Sequence, residues 1–169
     1  MSLIETRHTS RLIILDPDDR ILLLNYVARK PSDPPSGHAA SFWFTPGGGV
    51  EEGESAEEAA LREMDEEVGL TGLPLLGEVA RRSALNDRFQ RVAFCHERYF
   101  LVRAPSAAFN TARLAETDQD EVLDVRWWSL AGFERSGEVL IPDAVLALTR
   151  FIMADGVPAE PLDLLTLRG

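Results

Sequence analysis

Hydrophobic residues near the start of the chain gather into two runs, residues 11–15 (Arg-Leu-Ile-Ile-Leu) and 21–24 (Ile-Leu-Leu-Leu), on either side of Asp16-Pro17-Asp18-Asp19-Arg20. Apolar runs around a Pro/Asp turn predict a β-hairpin with a longer loop. Because the runs are continuous rather than alternating, both strands are expected to be covered on both faces. Residues 30–39 carry three prolines and predict a loop. Phe42-Trp43-Phe44-Thr45 reads as a short strand running into Pro46-Gly47-Gly48-Gly49, where the backbone needs an unusual path. A helix is predicted over residues 56–68. Ser55 and Glu58 have capping-box spacing, and Gly69 supplies a left-handed stop. Leu61, Met64 and Val68 recur at spacings of three and four and give that helix an expected core face.

Farther on, residues 73–82 and 91–103 read as strands, with Asn86-Asp87 in their connection. Residues 105–120 are mostly polar loop, residues 121–128 a further strand, and residues 143–154 a final amphipathic helix after Pro142. No repeat or linker divides the chain. The reading is one α/β domain over residues 1–155, layered around a mixed sheet, followed by a tail over 156–169 that is expected to be partly disordered.

Composition narrows the function classes. The 169 residues include 17 basic and 28 acidic side chains, a formal charge of −11. Such a surplus repels a phosphate backbone and argues against general DNA binding. The single Cys95 excludes an internal disulfide and suits a reducing compartment. The apolar run at residues 12–15 is too short for a signal core or a membrane span, so the expected location is cytoplasmic, with no membrane partner.

The acidity has an address. Between Glu51 and Glu67 lie nine acids and one base, Arg62, a net −8 that leaves −3 for all other residues. At 3.6 residues per turn, Glu63, Glu66 and Glu67 share one helix face. Three carboxylates on one face repel unless a cation sits between them. Hard oxygen donors without His or Cys select Mg²⁺ or Mn²⁺ over zinc. The glycine stretch before the helix lets backbone approach a phosphate or offer a carbonyl ligand. A solvated acidic helix is the plain alternative for the same charge run.

The whole pattern over residues 48–70 resembles the Nudix box without gap or substitution, at Gly48, Glu54, Arg62-Glu63, Met64, Glu66-Glu67, Gly69 and Leu70. The strand order around it extends the resemblance over residues 7–154. It implies a MutT-like Nudix hydrolase: an α/β/α sandwich with a mixed central sheet and the box's loop-helix. The implied activity is Mg²⁺-dependent cleavage, with Mn²⁺ as substitute, of a nucleoside diphosphate linked to another moiety. Nucleoside triphosphates, nucleoside diphosphates and nucleotide sugars all qualify. A binding or regulatory module of the same fold, without turnover, is the alternative. By the same resemblance, Glu66 and Glu67 are metal ligands, and Glu63 is a further ligand or the water-activating base. The carbonyl of Gly47 or Gly48 completes the coordination, and Arg62 holds Glu54 in place. Glu121 is the expected carboxylate from outside the box, in competition with Glu116, Asp118 and Asp120. Homodimerisation is left open by a single sequence.

Weaker signals carry plainer readings. Arg81, Arg82, Arg88, Arg91, Arg98 and Arg103 crowd residues 81–103 and are read as strand-surface arginines balancing an acidic protein, with phosphate contact as the rival. Trp127 and Trp128 are adjacent in a strand and must face opposite sides. His96 is read as a strand histidine satisfied by its neighbours, and Cys95 as buried packing.

Overall fold

The computed structural model describes residues 4–27, 41–86, 92–114 and 122–167. The first strand, β1 (Glu5–Leu15), turns and returns antiparallel as β2 (Ile21–Val27). Asp16 makes the turn. Its buried carboxylate accepts from the backbone N–H groups of Asp18 and Arg20 and from the Arg20 guanidinium. Burial opposes that charge, but these donors hold the carboxyl below its ordinary value.

The register joins the hairpin at Leu15 and Ile21, beside the turn. Farther out, β4 (Gly47–Gly49) takes the edge of β1 at Thr9, Ser10 and Arg11. It follows β3 (Ser41–Phe44), which pairs with β2. The other long partner of β1 is β6 (Ala93–Arg103), parallel to it along eleven residue pairs. Next come β5 (Gly77–Asn86), antiparallel to β6, and β8 (Leu162–Asp163), while β7 (Val122–Trp128) pairs with β2. The described residues thus form a mixed sheet with the path β3-β2-β1-β6-β5-β8.

Two apolar layers explain the uninterrupted runs. Leu12, Ile14, Leu22 and Leu24 pack with Ala60, Met64 and Val68 of α1 (Ala56–Val68). Ile13, Leu15, Ile21 and Leu23 pack on the opposite face with Phe133 of α2 (Leu130–Ser136) and Val145, Leu148 and Ile152 of α3 (Ala144–Asp155). Alternate residues of each strand therefore enter different cores, and the chain is an α/β/α sandwich. Trp127 and Trp128 divide between the same two cores.

Several sequence expectations change. The capping box of Ser55 and Glu58 and the left-handed Gly69 (φ 64°) are present, but Leu61 is 41% exposed. The buried stripe runs through Ala60, Met64 and Val68, at i, i+4 and i+8, and Leu61 lies about 100° round the helix from Ala60. The short helix α2 was not anticipated; Ser129 caps it by accepting from the Gly132 N–H, and Gly137 ends it. β5 starts at Gly77 and extends to Asn86, later than predicted. The segment read as a loose tail contributes β8, and Leu164 is 3% exposed in the core. The proline-rich loop 30–39 lies outside the described residues.

Candidate metal centre

Local chain properties bring the site residues together. The capping box starts α1 at Ala56, and that start sets which way Glu63, Glu66 and Glu67 face. Ser10 of β1 donates to the Ala56 carbonyl (2.6 Å) and ties the helix start to the strand that carries β4. The approach strand requires glycine. A Cβ at Gly47 (φ 141°) would stand 2.1 Å from the Ser10 carbonyl oxygen, and one at Gly48 would stand 2.3 Å from Glu63 Oε1.

Arg62 organises the carboxylates. Its Nε and NH2 donate to the two oxygens of Glu54 (2.7 and 3.0 Å), and NH2 also reaches the Gly49 carbonyl (2.9 Å). NH1 lies 2.8 Å from Glu63 Oε1 and 3.4 Å from Glu66 Oε2. The cation needed between acids on one helix face is thus supplied, in this structure, by the chain itself. Glu67 is 8% exposed, and its Oε2 accepts from the Gly47 N–H (3.1 Å). Burial pushes the Glu63 carboxyl above its ordinary value, with Arg62 opposing. For Glu54, hydrogen bonds from Arg62 and then from the Glu51 backbone hold the pKa down at about 2.

The sequence-predicted residues are therefore neighbours, but they do not converge. Among the described residues, no three His, Cys, Asp or Glu side chains form a ready-made metal cluster. The Gly47 carbonyl accepts from Arg11 NH1 (3.2 Å). Glu121 and its competitors Glu116, Asp118 and Asp120 lie outside the described residues. The donor set nonetheless fits a hard divalent cation: it is all oxygen and partly buried, and two of its carboxylates, Glu63 and Glu66, already flank one positive charge.

The arginine-rich stretch resolves into ion pairs. Arg81 and Arg98 share Glu78, Arg98 also reaches Glu57, and Arg103 pairs with Asp19. Arg88 and Arg91 lie outside the described residues. His96 stacks on His8 (5.2 Å), and its Nδ1 lies 2.8 Å from Ser83 Oγ. Cys95 is a buried free thiol. A cavity of about 560 Å³ lies against this histidine pair and touches Val50 and Ala56, but none of the three α1 carboxylates lines it.

Sequence reasoning missed a buried charge cluster on the other face of β1. Glu97, 6% exposed, accepts from Arg82 NH1 (3.0 Å) and the Tyr99 hydroxyl (3.1 Å), and lies 3.6 Å from Arg11 Nε. The signal was available in period two: Ala93, Cys95, Glu97, Tyr99 and Leu101 form the inward face of β6, and one member of it is charged.

Comparison with known proteins agrees with the architecture. Residues 6–147 match the NUDIX domain. Over 65 residues the chain is 42% identical to an RNA pyrophosphohydrolase of Rhodospirillum rubrum, covering 36% of this chain and 36% of that protein. Over 75 residues it is 35% identical to an 8-oxo-dGTP diphosphatase of Proteus vulgaris, covering 43% of this chain and 61% of that protein. The chain thus spans less than two thirds of either curated relative. A solved MutT protein from Methanosarcina mazei Go1 shares the fold, with a TM-score of 0.60 at 17% identity over 94% of this chain and 100% of that one. With the domain match running from β1 into α3 and the box intact on α1, the chain belongs to the Nudix hydrolase family and is MutT-like.

Proposed function

We propose that the protein hydrolyses the pyrophosphate linkage of a nucleoside diphosphate joined to another moiety, with Mg²⁺ or Mn²⁺ as cofactor. The observation that carries this reading is the placing of Glu63, Glu66 and Glu67 on one side of the helix next to the Gly47–Gly49 strand, with Arg62 between Glu63 and Glu66 and Glu67 on the Gly47 amide. Glu66 and Glu67 would hold the metal, with Glu63, a carbonyl of Gly47 or Gly48, and Glu121 as further ligands. A divalent cation bound there stabilises charge on the phosphate oxygens and lowers the cost of water attack. Glu63 doubles as candidate base, since burial pushes its proton affinity upward. Arg62, anchored by Glu54 and the Gly49 carbonyl, orients Glu63 and Glu66 from behind.

The test is chromatographic detection of cleavage products, nucleoside monophosphate together with diphosphate or a sugar phosphate, with Mg²⁺ and with Mn²⁺, over nucleoside triphosphates, nucleotide sugars, 8-oxo-dGTP and RNA, the last two being in its relatives' names. Glu66→Gln and Glu67→Gln should each abolish turnover of any responsive substrate; parental rates in both would overturn the metal assignment. The competing reading, nucleotide binding without turnover, draws on Arg62 standing between Glu63 and Glu66. It predicts ligand binding across that panel and no cleavage products. For the described residues, no helix is long and apolar enough to cross a membrane.

A further inference from the structure

The Arg11–Glu97–Arg82 cluster has more donors than the protein uses. Arg11 NH1 is spent on the Thr45 and Gly47 carbonyls (3.3 and 3.2 Å), and its Nε faces Glu97. Arg82 uses NH1 on Glu97. The remaining N–H groups of both guanidiniums meet no acceptor among the described residues. Both side chains line a narrow slot, together with Phe44, Thr45, Glu97 and Tyr99.

Charge points the same way. The described lining holds two guanidiniums against one carboxylate. Burial pushes the Tyr99 phenol well above its usual value, so it donates to Glu97 as a neutral group and adds no negative charge. Burial opposes the Arg11 cation, yet Glu97 and, more weakly, Glu67 hold its pKa above the ordinary arginine value.

We propose that Arg11 and Arg82, spread around Glu97, form an anion subsite for the oxygens of the substrate's diphosphate chain that face away from α1. Glu97 is the positioning residue that keeps the two guanidiniums apart and aimed. The fork geometry of arginine suits bidentate contact with phosphate oxygens, which a lysine at either position would not reproduce. The assignment rests on the function proposed above but is testable without turnover.

Calorimetric titration with inorganic diphosphate, in chelator to remove metal, reads the subsite directly. Arg11→Met and Arg82→Met should each weaken diphosphate binding at least tenfold, and Glu97→Gln should weaken it by disordering both arginines. Arg11→Lys, the gentler change, should lose part of the affinity while melting near the parent. Arg81→Met, an exposed arginine paired with Glu78, should bind like the parent. Mn²⁺ binding followed by electron paramagnetic resonance should be unchanged or tighter in the arginine variants, since a positive charge near Glu67 is removed. With a substrate that turns over, KM should rise more than kcat falls. Parental diphosphate affinity in both arginine variants, or no diphosphate binding by the parent, overturns the subsite. Diphosphate binding that falls as expected in a parent with no hydrolysis overturns the proposed activity and leaves the subsite standing.

Discussion

Arg62 grips Glu54 with two donors, Nε at 2.7 Å and NH2 at 3.0 Å, while its NH1 stands 2.8 Å from Glu63. One guanidinium therefore fixes a loop acid and a helix acid at once. Arg62→Lys keeps the charge and loses the fork. Disturbing such a supporting contact typically costs about 10–100-fold in activity or metal affinity, and a fall of that size in hydrolysis rate is expected here. Added Mg²⁺ should still saturate the remaining activity, because no metal ligand has gone. A parental rate would show that the fork does not position the site.

The two adjacent glycines should fail differently. At Gly48 the added methyl meets the end of a flexible side chain, Glu63, which can swing away. Gly48→Ala is expected to fold normally and lose most hydrolysis. At Gly47 the methyl meets the Ser10 backbone carbonyl at a φ of 141°, and nothing can swing. Overpacking and an unfavourable backbone together cost about 2–5 kcal/mol, so Gly47→Ala should show a clear fall in denaturant midpoint. Equal stability of the two variants would contradict the geometry.

Met64 is 1% exposed in the α1 core and Leu61 is 41% exposed. Met64→Ala should cost about 2–5 kcal/mol through lost contacts and a cavity. Leu61→Ala should cost less than about 1 kcal/mol, as surface changes usually do. Chemical denaturation of both variants checks the direction in which the helix faces; a reversed order would restore the face that spacing alone suggested.

Glu78 controls one acid limb of stability. Burial would raise its pKa, but hydrogen bonds from Arg81 and Arg98 overcome it and bring the value to about 2, against an ordinary 4.5. A carboxyl lowered on folding contributes stability that is present above 4.5 and is lost as pH falls toward 2. Since Arg81 and Arg98 are partly exposed, screening reduces the contribution to the order of 1 kcal/mol. Thermal melts from pH 5 downward should show a shallower decline for Glu78→Gln than for the parent. Parallel curves would remove Glu78 from the acid response.

The site and the fold were legible in the sequence to different depths. Helix α1 could be read to the residue, because its start, its stop and its acidic face all depend on neighbours within four positions: Ser55 with Glu58, Gly69, and Glu63 with Glu66 and Glu67. The hairpin and its two-sided burial were legible too, since continuous apolar runs report directly on covering layers. The choice between Leu61 and Ala60 as the core residue was not, because both fit the spacing and only the docking angle of α1 on the sheet separates them.

Composition and local pattern by themselves determined that this chain carries a capped acidic helix behind a glycine strand in a layered α/β domain. Contacts that cross the sheet were set by strand register, which no local pattern encodes. The Gly47 amide meets Glu67 because β4 runs along β1, and Arg11 meets Glu97 because β1 lies parallel to β6 with Thr9 opposite Glu97 and Arg11 opposite Tyr99.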